Sequence, residues 1–172
     1  KGHAVRCMVR DPARLQGRPW LAQVEVVRGD VLDEATLPAA LAGIEVAYYL
    51  VHSLGGGHDF DERDARAARA FGHAARAAGV ARIIYLGGLG DPASELSEHL
   101  RSRQRSGDAL REAGVPVTEF RAAVIVGAGS LSFEMIRYLT ERVPVMVCPS
   151  WVYTKIQPIA IRDVLSYLTE VI

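Results

Sequence analysis

The stretch Ala81-Arg82-Ile83-Ile84-Tyr85-Leu86-Gly87-Gly88-Leu89-Gly90 decides the fold. Apolar side chains fill residues 83–86 with no polar alternation, the pattern of a short strand covered on both faces. Glycines follow at once. In a parallel α/β sheet they would stand at the carboxyl end of a strand, where such sheets open a ligand crevice. Without a Cβ, Gly87 and Gly88 would let a flat ligand lie against the backbone. A tight turn into the next helix is the other reading of the same residues.

Working outward, strands and helices alternate. Residues 4–9 (AVRCMV) read as a strand, ended by Arg10-Asp11-Pro12, where Asp11 caps a helix reaching to about residue 21 and Pro12 takes its first position. Residues 24–27 form the next strand, and Asp33 caps a helix over about 34–42. Because Asp33 takes the cap, Asp30 is free for another task. Residues 44–51 (IEVAYYLV) are a third strand, followed by a loop containing Gly55-Gly56-Gly57 and a long alanine- and arginine-rich helix over 59–78 that Gly79 stops. Beyond the opening stretch come a helix over 95–113 ended by Gly114, a long strand over 115–126 and a helix over 130–142. Short strands at 145–148 and 151–156 follow, and Pro158 leads into a last helix over about 161–171. This alternation predicts a doubly wound parallel α/β sheet with right-handed crossovers and helices on both faces.

The totals agree with one globular domain: 172 residues, 49% of them apolar. Zero formal net charge argues against a nucleic-acid or acidic-membrane surface. Cys7 and Cys148 stand far apart, with neither metal-ligand nor disulfide-framework spacing, so no metal site is expected and a reducing cytoplasm is the expected compartment. No apolar run reaches transmembrane length. The chain opens at Lys1-Gly2-His3 and passes almost at once into a strand, as a piece of something longer would.

Several residues offer chemistry. Arg10 ends the first strand, where an arginine suits a ribose 2′-phosphate and an acid would suit a free hydroxyl; a solvated surface arginine is the alternative. Asp30 can accept a hydrogen bond from an adenine amino group or bond its own turn. His52 can line a pocket or be exposed, with the glycines after it as a lid. His99 and Arg103 are four apart and share a helix face. Arg103 falls on the apolar stripe marked by Leu96, Leu100, Gly107 and Leu110, so it packs its stem inward or finds a partner there. Arg121, in an apolar strand, needs a pairing partner, and Glu119 two residues earlier shares its face. Trp151 and Tyr153 suit a core or an interface. No nucleophile elbow or spaced carboxylate pair stands out.

Residues 5–12 (VRCMVRDP), 29–33 (GDVLD), 47–53 (AYYLVHS) and 78–89 (AGVARIIYLGGL) together resemble the atypical short-chain dehydrogenase/reductases, in the NmrA-like and nucleoside-diphosphate-sugar-epimerase-like branch. The likeness runs on through Gln157-Pro158-Ile159 and Asp163. It implies a Rossmann NAD(P)-binding domain with sheet order 3-2-1-4-5-6-7, whose first strand and glycine-rich phosphate loop lie ahead of Lys1. A substrate-binding part would begin near Gly127. Without that first strand, a gap would separate residues 4–9 from 44–51, and the 172 residues alone would bind dinucleotide poorly.

The resemblance also assigns roles. NADP is the expected cofactor, ahead of NAD. Arg10 would take its 2′-phosphate, Asp30 and Val31 the adenine side, and Leu50, Val51, His52, Gly87 and Ala123 the ribose and nicotinamide side. The family's serine falls at Gly87 or Gly88, and its Tyr-x-x-x-Lys pair falls at His99 and Arg103. His99 can exchange a proton near neutral pH, whereas Arg103 supplies fixed charge. The expected activity is therefore an oxidoreductase or epimerase-like enzyme on a small molecule, with a non-catalytic NADP(H)-responsive sensor or assembly factor as the alternative.

Overall fold

The computed structural model describes residues 2–52, 60–90, 96–143, 153 and 155–172. Strands β1 (Arg6–Val9) and β2 (Glu25–Arg28) pair in parallel, from Arg6 opposite Glu25 to Val9 opposite Arg28. Helix α1 (Leu37–Leu41) leads to strand β3 (Val46–Tyr49), and helix α2 (Phe60–Ala77) to strand β4 (Arg82–Gly88). Helix α3 (Glu98–Glu112) precedes strand β5 (Val117–Ala122), and β3, β4 and β5 form a parallel sheet with β4 in the middle. Strand β6 (Val124–Val126), helix α4 (Leu131–Arg142), strand β7 (Pro158–Ala160) and helix α5 (Ile161–Glu170) complete the order, with β6 and β7 again parallel. Among the described residues no ladder joins β1 to β3.

The central strand is covered on both faces, as its sequence requires. Ile83 and Tyr85 turn into one core with Ala47 and Tyr49 of β3, Ala67, Ala68, Phe71 and Ala75 of α2, and Leu110 of α3. Ile84, on the alternate face, packs with Val164 and Leu168 of α5. A strand whose successive side chains enter different cores has no place for a polar residue. The alanines of α2 let α3 come close. A Cβ added at Gly72 would sit 3.1 Å from the Leu110 carbonyl oxygen and 3.2 Å from the Ala113 Cβ. Helix α5 is held at its end by the Tyr48 hydroxyl, which donates to the Leu168 carbonyl, and by Arg82, which donates to that of Val171 at 3.0 Å.

Local signals worked where one residue decides a terminus. The Asp11 carboxylate accepts from the Ala13 N–H at 3.0 Å, and that of Asp33 from the Ala35 N–H at 3.3 Å. Gly79 and Gly114 end their helices with φ of 75° each, a conformation that favours glycine. Other expectations need correction. In place of a helix over 12–21 there are two 3-10 turns, Pro12–Leu15 and Leu21–Gln23, because Gly17 between them adopts φ 77° and Pro19 removes a donor. The helix over 34–42 is a 3-10 turn (Glu34–Thr36) followed by the five-residue α1, with Pro38 in its first turn. The long strand over 115–126 breaks at Ala123, where the chain leaves β4 and joins β7. Pro158 starts β7 before any helix begins. Tyr153 is 87% exposed, so it lies outside the core, and Lys155 and Ile156 carry no ladder. The Gly55-Gly56-Gly57 loop, the strand over 145–148, Cys148 and Trp151 fall outside the described residues. No described helix is long and apolar enough to cross a membrane.

Leu110 is fully buried where α3 meets α2 and β4, whereas Leu165 on α5 is 53% exposed. Truncating Leu110 to Ala therefore lowers the unfolding free energy by about 2–5 kcal/mol, and Leu165→Ala changes it by less than about 0.5 kcal/mol, as read from urea denaturation.

Candidate functional site

In a parallel ladder all strands finish at the same edge, so strand ends collect their trailing residues. The last registered pair of the first sheet is Val9 with Arg28, and the Gly29 N–H donates to the Val9 carbonyl at 3.0 Å. By that register Arg10 follows beside Gly29, and Asp30 comes one residue further on. Arg10 is exposed and has no acidic partner among the described residues. One Asp30 oxygen accepts from the Leu32 N–H at 3.0 Å, the local turn bond that was one of its two readings. The Asp30 N–H and carbonyl are held by the Thr36 hydroxyl. Val31 is buried in the main core, so its side chain serves packing.

At the end of the second sheet the chain runs past Tyr49 into Leu50, Val51 and His52. Leu50 and Val51 are 52% and 45% exposed, an apolar pair at a strand end. The His52 ring meets that of His99 edge-on, centroids 6.5 Å apart at 72°. His99 lies in the first turn of α3, which Ser97 caps by accepting from the Leu100 N–H at 3.4 Å. One turn later Arg103 points back to the sheet. Its guanidinium donates to the Leu86 carbonyl at 2.6 Å and lies 5.9 Å from the centre of the Tyr85 ring. The Tyr85 hydroxyl closes the circuit, donating to the Arg103 carbonyl at 2.8 Å. The partner that the apolar stripe demanded of Arg103 is therefore a strand-end carbonyl.

Electrostatics separate these groups. Burial, then the Arg103 charge, then His99, hold His52 below the ordinary histidine range, against the opposing pull of a hydrogen bond to Leu50 and the charge of Asp64. Burial pushes Tyr85 above the usual phenol range; burial and then Asp64 do the same to Tyr49. Both tyrosines thus stay protonated at neutral pH and are unsuited to acid–base work. Asp64 is buried on α2 and accepts from the Ser102 hydroxyl at 3.5 Å. Ala123 is exposed at the switch between β5 and β6.

Gly87 and Gly88 have a packing reason for their missing side chains. A Cβ at Gly87 would stand 2.5 Å from a Glu119 carboxylate oxygen, and one at Gly88 would stand 2.8 Å from Leu100 and 3.5 Å from Arg103. The Glu119 side chain is only 6% exposed and pairs with Arg121 at 3.1 Å, as expected, and also with Arg111 of α3. Sequence reading missed Arg111, and it placed Arg121 inside when its side chain is 42% exposed. The buried member of the network is the carboxylate. Burial raises its pKa, but hydrogen bonds from Arg121 and Arg111 outweigh that and leave it below the usual glutamate range.

Residues 1–129 match the model of a protein family described as NAD(P)H-binding. None of the curated proteins matches. Among solved structures, the chain is similar to the NADPH-dependent quinone oxidoreductase of Escherichia coli in complex with NADPH, at 29% identity and a TM-score of 0.57. It is similar also to the triphenylmethane reductase of Citrobacter sp. in complex with NADP(H), at 25% identity and a TM-score of 0.57. Each match covers 70% of this chain and 40% of the reductase, so the chain spans well under two thirds of their length. The Bordetella bronchiseptica enzyme WbmG, in complex with NAD, shares the fold over 98% of this chain and 60% of its own, with a TM-score of 0.74 at 18% identity.

The Glu119 network makes a pH prediction. Because the folded carboxyl titrates below the unfolded value of 4.5, its stabilisation is complete above that value and is lost as pH falls towards the folded pKa. Melting temperatures measured between pH 6 and about 3 should fall less steeply for Glu119→Gln than for the wild type, which starts from the higher value at pH 6.

Proposed function

The chain belongs to the NAD(P)H-binding family, and on that premise we propose that it is the cofactor domain of an NADP(H)-dependent oxidoreductase of the atypical short-chain type, acting on a small molecule. The observation that carries the choice of NADP over NAD is Arg10. Its exposed guanidinium stands at the end of β1 with no acidic partner among the described residues, where a 2′-phosphate would take paired, charge-assisted hydrogen bonds. The complexes of the two reductases with NADPH and NADP(H) favour the same choice.

The described residues fit such a cofactor. Asp30 and the backbone at Val31, just past the end of β2, would take the adenine side. Leu50 and Val51 offer exposed apolar surface for the ribose and nicotinamide side, with His52, the Gly87 backbone and Ala123 at the neighbouring strand ends. Bound NADPH supplies hydride to a substrate carbon. The carbonyl oxygen left with the bond's electron pair then needs one proton. His99 is exposed, stands beside His52 and is the residue suited to deliver it. Arg103, fixed on the Leu86 carbonyl, keeps positive charge close to that oxygen and does not itself give up a proton. The substrate-binding part would begin near Gly127.

A second reading has one observation in its favour. Arg103, at the position of the family's lysine, is already spent on Leu86 and Tyr85. A protein that binds NADP(H) and reports its redox state without turnover would need no more.

Charge reversal Arg10→Glu in the full-length protein should weaken NADPH binding by about ten- to a hundredfold and NADH binding by less than about threefold, measured by fluorescence titration. Equal losses would reject the assignment. His99→Ala should lower NADPH oxidation over a panel of carbonyls and quinones by about a hundredfold or more. Binding without turnover in the wild type would decide for the sensor.

A further inference from the structure

We propose that Tyr85 is a positioning residue of the site: from inside the core it fixes how helix α3 sits on the end of β4, and so where His99 stands at the rim. Its catalytic consequence rests on His99 as the proton donor of the proposed reductase. Tyr85 itself is 1% exposed, out of reach of substrate and cofactor. Its hydroxyl donates to the Arg103 carbonyl at 2.8 Å, and the Arg103 guanidinium donates back to the Leu86 carbonyl at 2.6 Å.

One stripe of α3 meets the strand end. A Cβ at Gly88 would stand 2.8 Å from Leu100, so the helix rests directly on that backbone. Arg103 holds the Leu86 carbonyl and lies over the Tyr85 ring, 5.9 Å from its centre. The side-chain amide of Gln104 donates to the Gly90 carbonyl at 3.2 Å. Gly107 lies against the Tyr85 ring. Residues 100, 103, 104 and 107 have the i, i+3, i+4, i+7 spacing of one helix face. His99 adjoins this stripe and is four residues before Arg103, on the same side of the helix. Whatever turns the stripe turns His99 with it.

Gly107 marks where the sequence gives way to this contact. Apart from proline, glycine is the residue least suited to a helix interior, yet it stands well inside α3. A Cβ there would come within 3.3 Å of the Tyr85 Cε1 and within 3.5 Å of a Glu119 carboxylate oxygen, so a side chain would crowd the ring on its way to the helix. In an α-helix the Arg103 carbonyl already accepts from the N–H four residues on, that of Gly107. Tyr85 takes its second lone pair. A local rule is broken at the one place where a strand hydroxyl reaches a helix carbonyl. The gain is a fixed rotation of α3. Turning the helix by about 10° would move a ring ~6 Å from its axis by ~1 Å, and a shift of that size at a reacting group costs up to about a hundredfold in rate.

The test is Tyr85→Phe in the full-length protein, which keeps the buried ring and removes only the hydroxyl. NADPH oxidation over the panel of carbonyls and quinones should lose about ten- to a hundredfold in kcat, with NADPH affinity unchanged. Amide hydrogen exchange over residues 98–104 should quicken by about tenfold, while β5 keeps its wild-type rates. Gly107→Ala keeps the hydroxyl, favours the helix and crowds the ring; it should lower kcat too, and it decides alone if Tyr85→Phe does not fold. An unchanged kcat overturns the assignment. So does a fall in kcat matched by an equal fall in NADPH affinity, which is what general loosening would give. If the wild type shows no turnover, exchange decides. Quickened exchange at 98–104 alone upholds the placing of α3 by Tyr85 and rejects the reductase reading, and unchanged exchange overturns this inference.

Discussion

Burial of β4 on both faces is the constraint on which the rest depends. Ile83, Ile84 and Tyr85 are each 1% exposed or less, and they alternate between two cores. One core is closed by α2 and α3, the other by α5. Each covering helix is therefore needed for the same strand, and the strand's end is where the helices leave room. A central strand exposed on one face would have tolerated polar alternation, and its glycines would have had no reason to cluster at one end.

The same strand links the fold to the site. Tyr85 is a core residue at its ring and a polar one at its hydroxyl, which binds the Arg103 carbonyl. Arg103 answers by capping the Leu86 carbonyl. Helix α3 is thus pinned to the end of β4 by two hydrogen bonds that cross in opposite directions. This sets where His99, one turn earlier, stands against His52. Glu119 performs a parallel task one strand over. Its carboxylate occupies the space at Gly87, and Arg111 draws α3 onto β5. A glycine next to a buried carboxylate serves helix packing whether or not a ligand lies along its backbone.

Much of this was legible in the sequence because single residues decided it. Asp11, Asp33, Gly79 and Gly114 mark termini through their own chemistry, and the run from Ile83 to Leu86 states its two-sided burial directly. What was not legible depended on partners distant in the chain. The break at Ala123 follows from the change of partner strand, and β7 exists because β6 offers it an edge. Arg6 caps α1 by donating to the Ala42 carbonyl at 2.7 Å, across a separation no local pattern reveals. In the site, the likeness to a family located His99 and Arg103. It could not show that Arg103 faces the strand end, nor that Asp64 of α2 lies buried against Ser102 of α3.

The proposed function requires that these strand ends hold an NADP(H) molecule. A crystal structure of the full-length protein with NADPH tests it most directly. The 2′-phosphate is expected on Arg10, and the nicotinamide between the Leu50–Val51–His52 segment and His99. A cofactor bound elsewhere, or one whose 2′-phosphate lies away from Arg10 with its nicotinamide far from His99, would contradict it.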